Sequence, residues 1–491
     1  MRKLITGQLQ PGKTQFLGTT SIEDIRFDPR CRDEITKTLR GLQELYLHTA
    51  SRTAIFTILE KMLPPEVSRD KGREGMSLWA IFVLGMVRLA CNWDYDKLKN
   101  AYDYHIKIRQ MAGVDLFLNG NTVTSLQCIH DNVSLFTSEI AAQINKVVVD
   151  FGHQQIFPNE KPLHTRCDSF VFLANVHFPT DFNLLLDCVR KCIALCSASA
   201  QSLKLPGWRE HQSLFEKARS CYNTLSKMRH SNSKKEEVKE KRRQAIHAQV
   251  KVYLEQSERN FRKAEAYQQS LNEKITGLDS FLDYGRLFID QITRRVFKEE
   301  KIPQEEKIYS VFEPYTEWIC KGKAGVRQEL GVKVCVVEDQ FGFILTHHMM
   351  KQQQDKEIAV AMVQKCQALF PSLSSMSFDK GFHSKMNETG KNNRLKIEEL
   401  GVTSYLPTKG RRNQEDRKRE TDKDFIKARK QHPAVESAIN ALESHGLDRC
   451  PDKGEDNFMR YASMAVTASN LHRIGVIFMA KELEKINRKS A

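Results

Sequence analysis

The sequence has no CxxC pair, no apolar run long enough to cross a bilayer and no hydrophobic leader core at its start. Each absence excludes something. Twelve cysteines spread over 491 residues without paired spacing make neither a zinc ribbon nor the disulfide framework of a small secreted domain. Free thiols in that number suit a reducing compartment. Cys188, Cys192 and Cys196 fall at four-residue steps on one helix face and read as a buried stripe of small hydrophobes. The opening MRKLITGQLQPGK lacks the apolar core of a signal peptide. The longest apolar stretch, SLWAIFVLGMVRLAC (77–91), falls short of the ~20 residues a spanning helix needs and contains Arg88. A soluble cytoplasmic protein with no membrane partner is therefore expected.

What is present is positive charge. Lys and Arg number 76 against 61 Asp and Glu, a net charge of +15. That excess favours a polyanionic partner, most often nucleic acid. A hydrophobic content of 40% supports real cores and excludes a disordered chain. The length allows about two to four domains.

Along the chain, 1–70 forms an N-terminal extension with a helical pattern over 33–62 that Pro64 and Pro65 end. Helices are expected over 77–91, 95–112 and 122–148, with Gly113, Asn119 and Gly120 punctuating the last gap. This helical region, 71–150, is compact enough to contact DNA as a helix-turn-helix does, and plain helical packing explains it equally well. At 161–178 the period changes to that of a strand over 169–178, which Asp168 opens, followed by a Pro179–Thr180–Asp181 turn. Residues 182–300 are helical throughout apart from a polar connector at 231–235. Val250, Leu254, Phe261, Ala264, Leu271, Ile275 and Leu278 recur there as a coiled-coil-like seam, interrupted by Ser257 and Gln268. Strand patterns return at EWICKG, VKVCVVED and FGFILTHHMM between 308 and 350. A helix (355–370), the strand SLSSMSFD, a helix (383–400), the strand VTSYLP (402–407), a charged loop and a helix from about Pro433 then follow. This order describes an α/β domain over 160–181 and 305–450 whose first strand is cut off by a helical insertion, with a C-terminal helix in 451–491.

Strand-borne acids on such a sheet suit divalent-metal phosphoryl chemistry, because Mg²⁺ wants hard oxygen ligands held stiffly. An aspartate at a strand end is more commonly a turn former or a helix cap. Asp168 opens one strand and Asp379 closes another. For a third acid, the helix beginning near Pro433 offers Glu436 and Glu443, seven residues apart and near one face. Spacing alone does not choose between them.

DSFVFLANVHFPTD and LLLDCVR (168–190) resemble the first catalytic block of insertion-sequence DDE transposases: an aspartate, a hydroxyl residue, a strand, an H-[FY]-P-T-D turn and a helix. SVFEPYTEWICKGKAG (310–325) with GVKVCVV (331–337) is similar to that family's next block. FDKGFHSK (378–385) resembles its second-aspartate block. AVESAINALESHGLDRC (434–450) with GEDNFMRYASMAVTASNLHRIG (454–475) is similar to its third. The resemblance covers roughly 70–480. It implies a ribonuclease H-like catalytic domain with a large helical insertion after an all-α N-terminal region. It implies Asp168, Asp379 and Glu436 as catalytic and metal-binding acids, with Mg²⁺ or Mn²⁺ as cofactor. It implies cleavage at transposon ends and strand transfer into target DNA by a homodimer or higher assembly in a bacterial or archaeal cytoplasm, associated with the nucleoid. This chain departs from the family in three places. Gly331-Val332-Lys333-Val334 stands where G-H-K-V is frequent. Arg429 and His432 stand nearest the Tyr and Arg that precede the glutamate in some relatives. Glu443 occupies a position often basic.

Ten of the 22 residues in KGRRNQEDRKRETDKDFIKARK (409–430) are Lys or Arg. Lys409, Arg411, Arg412, Arg429 and Lys430, with Lys380 beside Asp379, are the candidate phosphate contacts. Mixed acids make a solvated loop the bland alternative. Two rival functions fit the same residues: a ribonuclease H-like nuclease that cuts without joining, and a DNA-binding protein without catalysis.

Overall fold

The structure is a computed structural model that describes residues 2–3, 20–63, 73–114, 124–158, 162–229, 236–320, 328–388 and 390–490. The expected helix stop at Pro64–Pro65, the Asn119–Gly120 break, the 231–235 connector and the 321–325 portion of one block lie outside these residues. The chain forms two compact units, Met1–Asn175 with Ile319–Ala491, and Val176–Trp318. It is mixed α/β and mostly helical, with a seven-stranded mixed sheet and a separate two-residue parallel pairing of Arg2–Lys3 with Arg73–Glu74.

The N-terminal helices are α1 (Glu34–Leu47), α2 (Thr49–Leu59), α3 (Leu78–Ala90), α4 (Tyr95–Tyr104), α5 (Ile106–Met111), α6 (Leu126–Val133) and α7 (Ser138–Ile156). The single helices expected over 33–62 and 95–112 are each broken at a histidine. His48 and His105 adopt extended backbone, and each ring Nδ1 accepts the amide of the third residue on, Ser51 at 3.4 Å and Ile108 at 3.3 Å. An imidazole thus acts as an N-cap that the apolar period does not reveal. From 124 on, the segment expected as one helix to 148 is likewise two, α6 and α7, with Thr137 capping the second.

Every residue of α3 is buried, including Arg88. That guanidinium is bonded to Asp452 at 2.7 and 3.2 Å, lies 3.9 Å from the Tyr95 ring centroid, and shares Asp452 with Arg460. The C-terminal α17 (Glu455–Ser490) packs on α1, α3 and α7. It approaches α1 through paired glycines. A Cβ on Gly41 would stand 2.1 Å from the Leu471 carbonyl oxygen, so only hydrogen fits there.

The sheet is built from β1 (Leu163–Ala174), β2 (Gln328–Asp339), β3 (Ile344–Met350), β4 (Leu373–Phe378) and β5 (Thr403–Tyr405). Its order is β3-β2-β1-β4-β5. The first three strands are mutually antiparallel neighbours, and β4 and β5 run parallel to β1. Short strands Glu317–Cys320 and Arg449–Cys450 pair with β2 and β1. The strand expected over 169–178 in fact begins six residues earlier, so Asp168 lies inside β1 and does not open it. His164, Arg166 and Asp168 alternate with buried Leu163, Thr165 and Cys167. The polar half of that alternation hides a strand that pairing with β2 and β4 stabilises.

In the Val176–Trp318 unit, α8 (Asp181–Ser202), α9 (His211–Arg229), α10 (Glu236–Gln269) and α11 (Leu278–Phe297) enclose one apolar core. Cys188, Cys192 and Cys196 are buried in it. The seam also turns inward: Val250, Leu254, Phe261 and Ala264 join the same core, and Ser257 bonds back to the Tyr253 carbonyl at 2.9 Å. The helix ends at Gln269, before Leu271 and Ile275, so the pattern does not continue as a coiled coil.

Candidate active site

Sheet pairing places the two aspartates. β1 carries β2 along one edge from Thr165 to Leu173. Along the other edge β4 pairs through Arg166↔Ser377 and Cys167↔Phe378, and pairing resumes only at Leu173↔Arg449. The next residue after Cys167 is Asp168, and the next after Phe378 is Asp379. Parallel strands run about 4.8 Å apart and matched positions point to the same face. The two carboxylates therefore leave neighbouring positions at the mouth of the gap where β4 ends.

Asp379 occupies the cap position of a single turn, Lys380–Phe382, yet its side chain makes no capping hydrogen bond. The turn-cap alternative thus leaves this carboxylate unexplained. The strand end just before it is held by two residues. Arg429 donates to the Phe378 carbonyl at 2.6 Å, and buried His432 bonds through Nδ1 to Ser377 Oγ at 3.0 Å. Burial, with Arg429 beside it, pushes the His432 imidazole down to about 4, so it is neutral at physiological pH. Both residues lie around the end of α15 (Lys423–Gln431).

Asp168 is partly buried, and one oxygen accepts the Ser169 amide at 2.8 Å. Its carboxyl is pushed up to about 6, first by loss of water and then by repulsion from Asp379, Asp355 and Glu436; the Ser169 amide works against them. Glu436 stands in the first turn of α16 (Ala434–Leu442), whose Val435, Ile439 and Leu442 are buried while Glu436 is exposed. The helix N-terminus favours a carboxylate there. α16 packs on β1. Glu443 caps the far end of α16, seven residues or about 10 Å further along.

Asp355, the first residue of α12 (Asp355–Leu369), is a fourth acid that sequence reasoning missed. Its carboxylate accepts Ser169 Oγ at 2.7 Å and pairs with Lys333 Nζ at 3.6 Å. In sequence it looks like an ordinary acidic helix start; only the fold brings it beside the residue that follows Asp168. Val332, at the frequent histidine position, is buried in β2 opposite Phe172.

The basic run is folded and is not the expected loop. Its residues form α14 (Gln414–Glu420) and α15, capped by Asn413 and Asp422. Glu420 accepts the Thr408 amide at 2.7 Å and pairs with Arg412 at 3.1 Å. These contacts, absent from any local pattern, order the segment. They bring the six candidate cations to two concavities. One, of 670 Å³, has Lys380, Arg412, Arg429 and Lys430 on its wall. The other, of 490 Å³, has Lys380, Lys409, Arg411 and Arg412. Arg417, unremarked in the sequence, lines both.

Among the described residues no three His, Cys, Asp or Glu side chains already stand as a metal-ligand set. The donor chemistry nonetheless fits a hard divalent cation. Three carboxylates, Asp379, Asp355 and Glu436, repel Asp168, and that repulsion is what a cation would relieve. Among the described residues no helix is long and apolar enough to cross a membrane. No protein-family model, no curated protein and no solved structure matches the chain.

Proposed function

We propose that this chain is a DNA transposase of the DDE type with a ribonuclease H-like core, working with Mg²⁺ or Mn²⁺ held by Asp168, Asp379 and Glu436. The observation that carries the reading is the Cys167↔Phe378 register, which sets two aspartates side by side at the end of parallel strands. The strand order, with an antiparallel triplet followed by two parallel strands, supports it. So does a glutamate on the helix that follows them, acting electrostatically on Asp168.

The bound ion would supply Lewis-acid polarisation of a phosphodiester. The chain's own residues supply the rest. Asp168 and Asp379 present oxygens from a stiff sheet, and Glu436 adds one from a helix. Arg429 and His432 hold the end of β4 so that Asp379 keeps its place. Lys380 and the arginines around the cavities neutralise backbone phosphates. The reaction is hydrolysis at an element end, in which water bonds to phosphorus and the 3′-oxygen departs as a hydroxyl. That hydroxyl then attacks a target phosphodiester and releases a second 3′-hydroxyl, with no covalent protein intermediate. Joining two ends calls for a homodimer or a larger assembly.

The test is cleavage and joining of a labelled duplex bearing the native flanking ends, with Mg²⁺, Mn²⁺ or EDTA. Wild-type protein should cut and join only with metal. Asp168→Asn, Asp379→Asn and Glu436→Gln should each abolish both while leaving end binding nearly intact; Glu443→Gln should remain active. Cutting without joining would leave a nuclease. Binding without cutting under any metal would leave a DNA-binding protein.

A further inference from the structure

Asp355 stands behind both aspartates of the site. Consecutive residues of a strand point to opposite faces, so Ser169 leaves β1 on the side away from Asp168. The Asp168 face carries Phe172, which stacks on Phe458 of α17 at 4.4 Å. The Ser169 face meets the N-terminus of α12, where the Ser169 hydroxyl donates to Asp355 Oδ1 at 2.7 Å. The Ser169 amide meanwhile donates to Asp168 Oδ1 at 2.8 Å. The second Asp355 oxygen abuts the turn that follows Asp379: a Cβ on Gly381 would stand 3.1 Å from Oδ2. Buried Asn393 joins the same turn to the same helix. Its Nδ2 donates to the carbonyls of Lys356 and Phe382, the latter at 2.8 Å. Lys333 Nζ lies 3.6 Å from Asp355 Oδ2 and offsets its charge.

We infer that Asp355 is a positioning residue: from the far side of the sheet it fixes the separation of Asp168 and Asp379 on which a shared cation depends. The inference rests on the metal-binding part of the proposed function. A metal site works only when its ligands are held to about 0.5 Å. Asp168 lies within β1 and is held by its pairing with β2. β4 ends at Phe378, so Asp379 lies beyond the strand. The first two residues of α12 bridge that difference, because the residue after Asp168 and the turn after Asp379 both meet them. Asp355 thus acts through Ser169 and through the turn at Gly381. Outer partners that orient a ligand in this way are felt in the affinity for the metal.

Calorimetric titration of the full chain with Mn²⁺, without DNA, tests it. Ser169→Ala and Asp355→Ala should each weaken Mn²⁺ about tenfold, the low end for a partner that orients a ligand. The double variant should match Asp355→Ala, because the Ser169 hydroxyl acts through that carboxylate. Asp355→Asn keeps an acceptor for the hydroxyl and should recover most of the affinity. A purely structural role would lower stability to urea and leave the Mn²⁺ affinity of the folded chain unchanged. Three results would overturn the inference: unchanged affinity in either alanine variant, additive losses in the double variant, or Asp355→Asn as weak as Asp168→Asn, which would make Asp355 a ligand. Cleavage of the duplex with Mg²⁺ is scored separately. Coupled loss of Mn²⁺ in a chain that never cuts DNA would keep the positioning role and sink the transposase reading; cleavage without that coupling would do the reverse. A wild-type chain that binds no Mn²⁺ would overturn both.

Discussion

Cys167 and Phe378 face each other across two parallel strands, and the residue after each is an aspartate. This register sets Asp379 beside Asp168, and its repulsion adds to loss of water in raising the Asp168 carboxyl.

Asp168 is a stability liability without a cation. Its folded-state value of about 6 exceeds the ordinary aspartate value of about 4, so the folded chain binds more protons between those limits. The group's contribution is therefore full below about pH 4 and is lost as pH rises through about 6. A dry carboxyl would lose about 2–3 kcal/mol; partial contact with water reduces this to about 1–2 kcal/mol. Asp168→Asn should raise neutral-pH stability by that amount and remove the slope. Urea unfolding of both proteins at several pH values, in EDTA, checks it; equal slopes would contradict the electrostatic picture of the site.

Metal should reverse the sign. A divalent ion must displace the Asp168 proton, so Mn²⁺ affinity should climb with pH up to and through about 6. Asp168→Asn and Asp379→Asn should weaken Mn²⁺ at least about tenfold, the scale at which loss of even an outer partner is felt. Calorimetric titration without DNA measures this. Affinity that is flat with pH and insensitive to both substitutions would remove the ion from these aspartates.

His432 holds the β4 end through Ser377. His432→Ala leaves the Ser377 hydroxyl without that partner and opens space, costing about 1–3 kcal/mol, and should depress cleavage more than DNA binding. His432 is neutral at physiological pH, so no charge is lost. His432→Asn, which can still reach a hydroxyl, should recover part of the activity. Thermal unfolding together with separate cleavage and binding assays decides it; equal loss of both activities would mean a general role in folding.

Arg88 and Asp452 form a buried ion pair far from each other in sequence. Asp452→Ala strands the guanidinium among Tyr95 and Tyr461 and should destabilise by about 3–5 kcal/mol. Arg88→Met, which leaves no buried cation, should cost less. Comparing the two by urea unfolding checks the order, and the reverse order would mean that the arginine's ring contacts dominate.

Some of the architecture is plain in the residues. β2 and β3 announce themselves through runs of Val, Ile, Leu and Met between turn signals, and β4 through a short run of small and apolar residues. The stripe of Cys188, Cys192 and Cys196 states its own burial by spacing. The breaks at His48 and His105 do not show, because a capping imidazole looks like any polar residue within a helical period. The start of β1 is hidden for a related reason. Its polar residues alternate with buried ones, and what makes them a strand is the pair of neighbours that flank them.

The candidate site divides the same way. Asp168, Asp379 and the cations of 409–430 stand out as candidates by residue type and order, which are properties of the chain itself, whereas only the family resemblance sets Glu436 ahead of Glu443. That Asp168 and Asp379 are neighbours, that Asp355 stands with them, and that the basic run is two helices around concavities were decided only by the tertiary structure. Proximity across 211 residues is a matter of strand register. Register is chosen by packing both faces of the sheet at once, and no local segment of the sequence contains that choice.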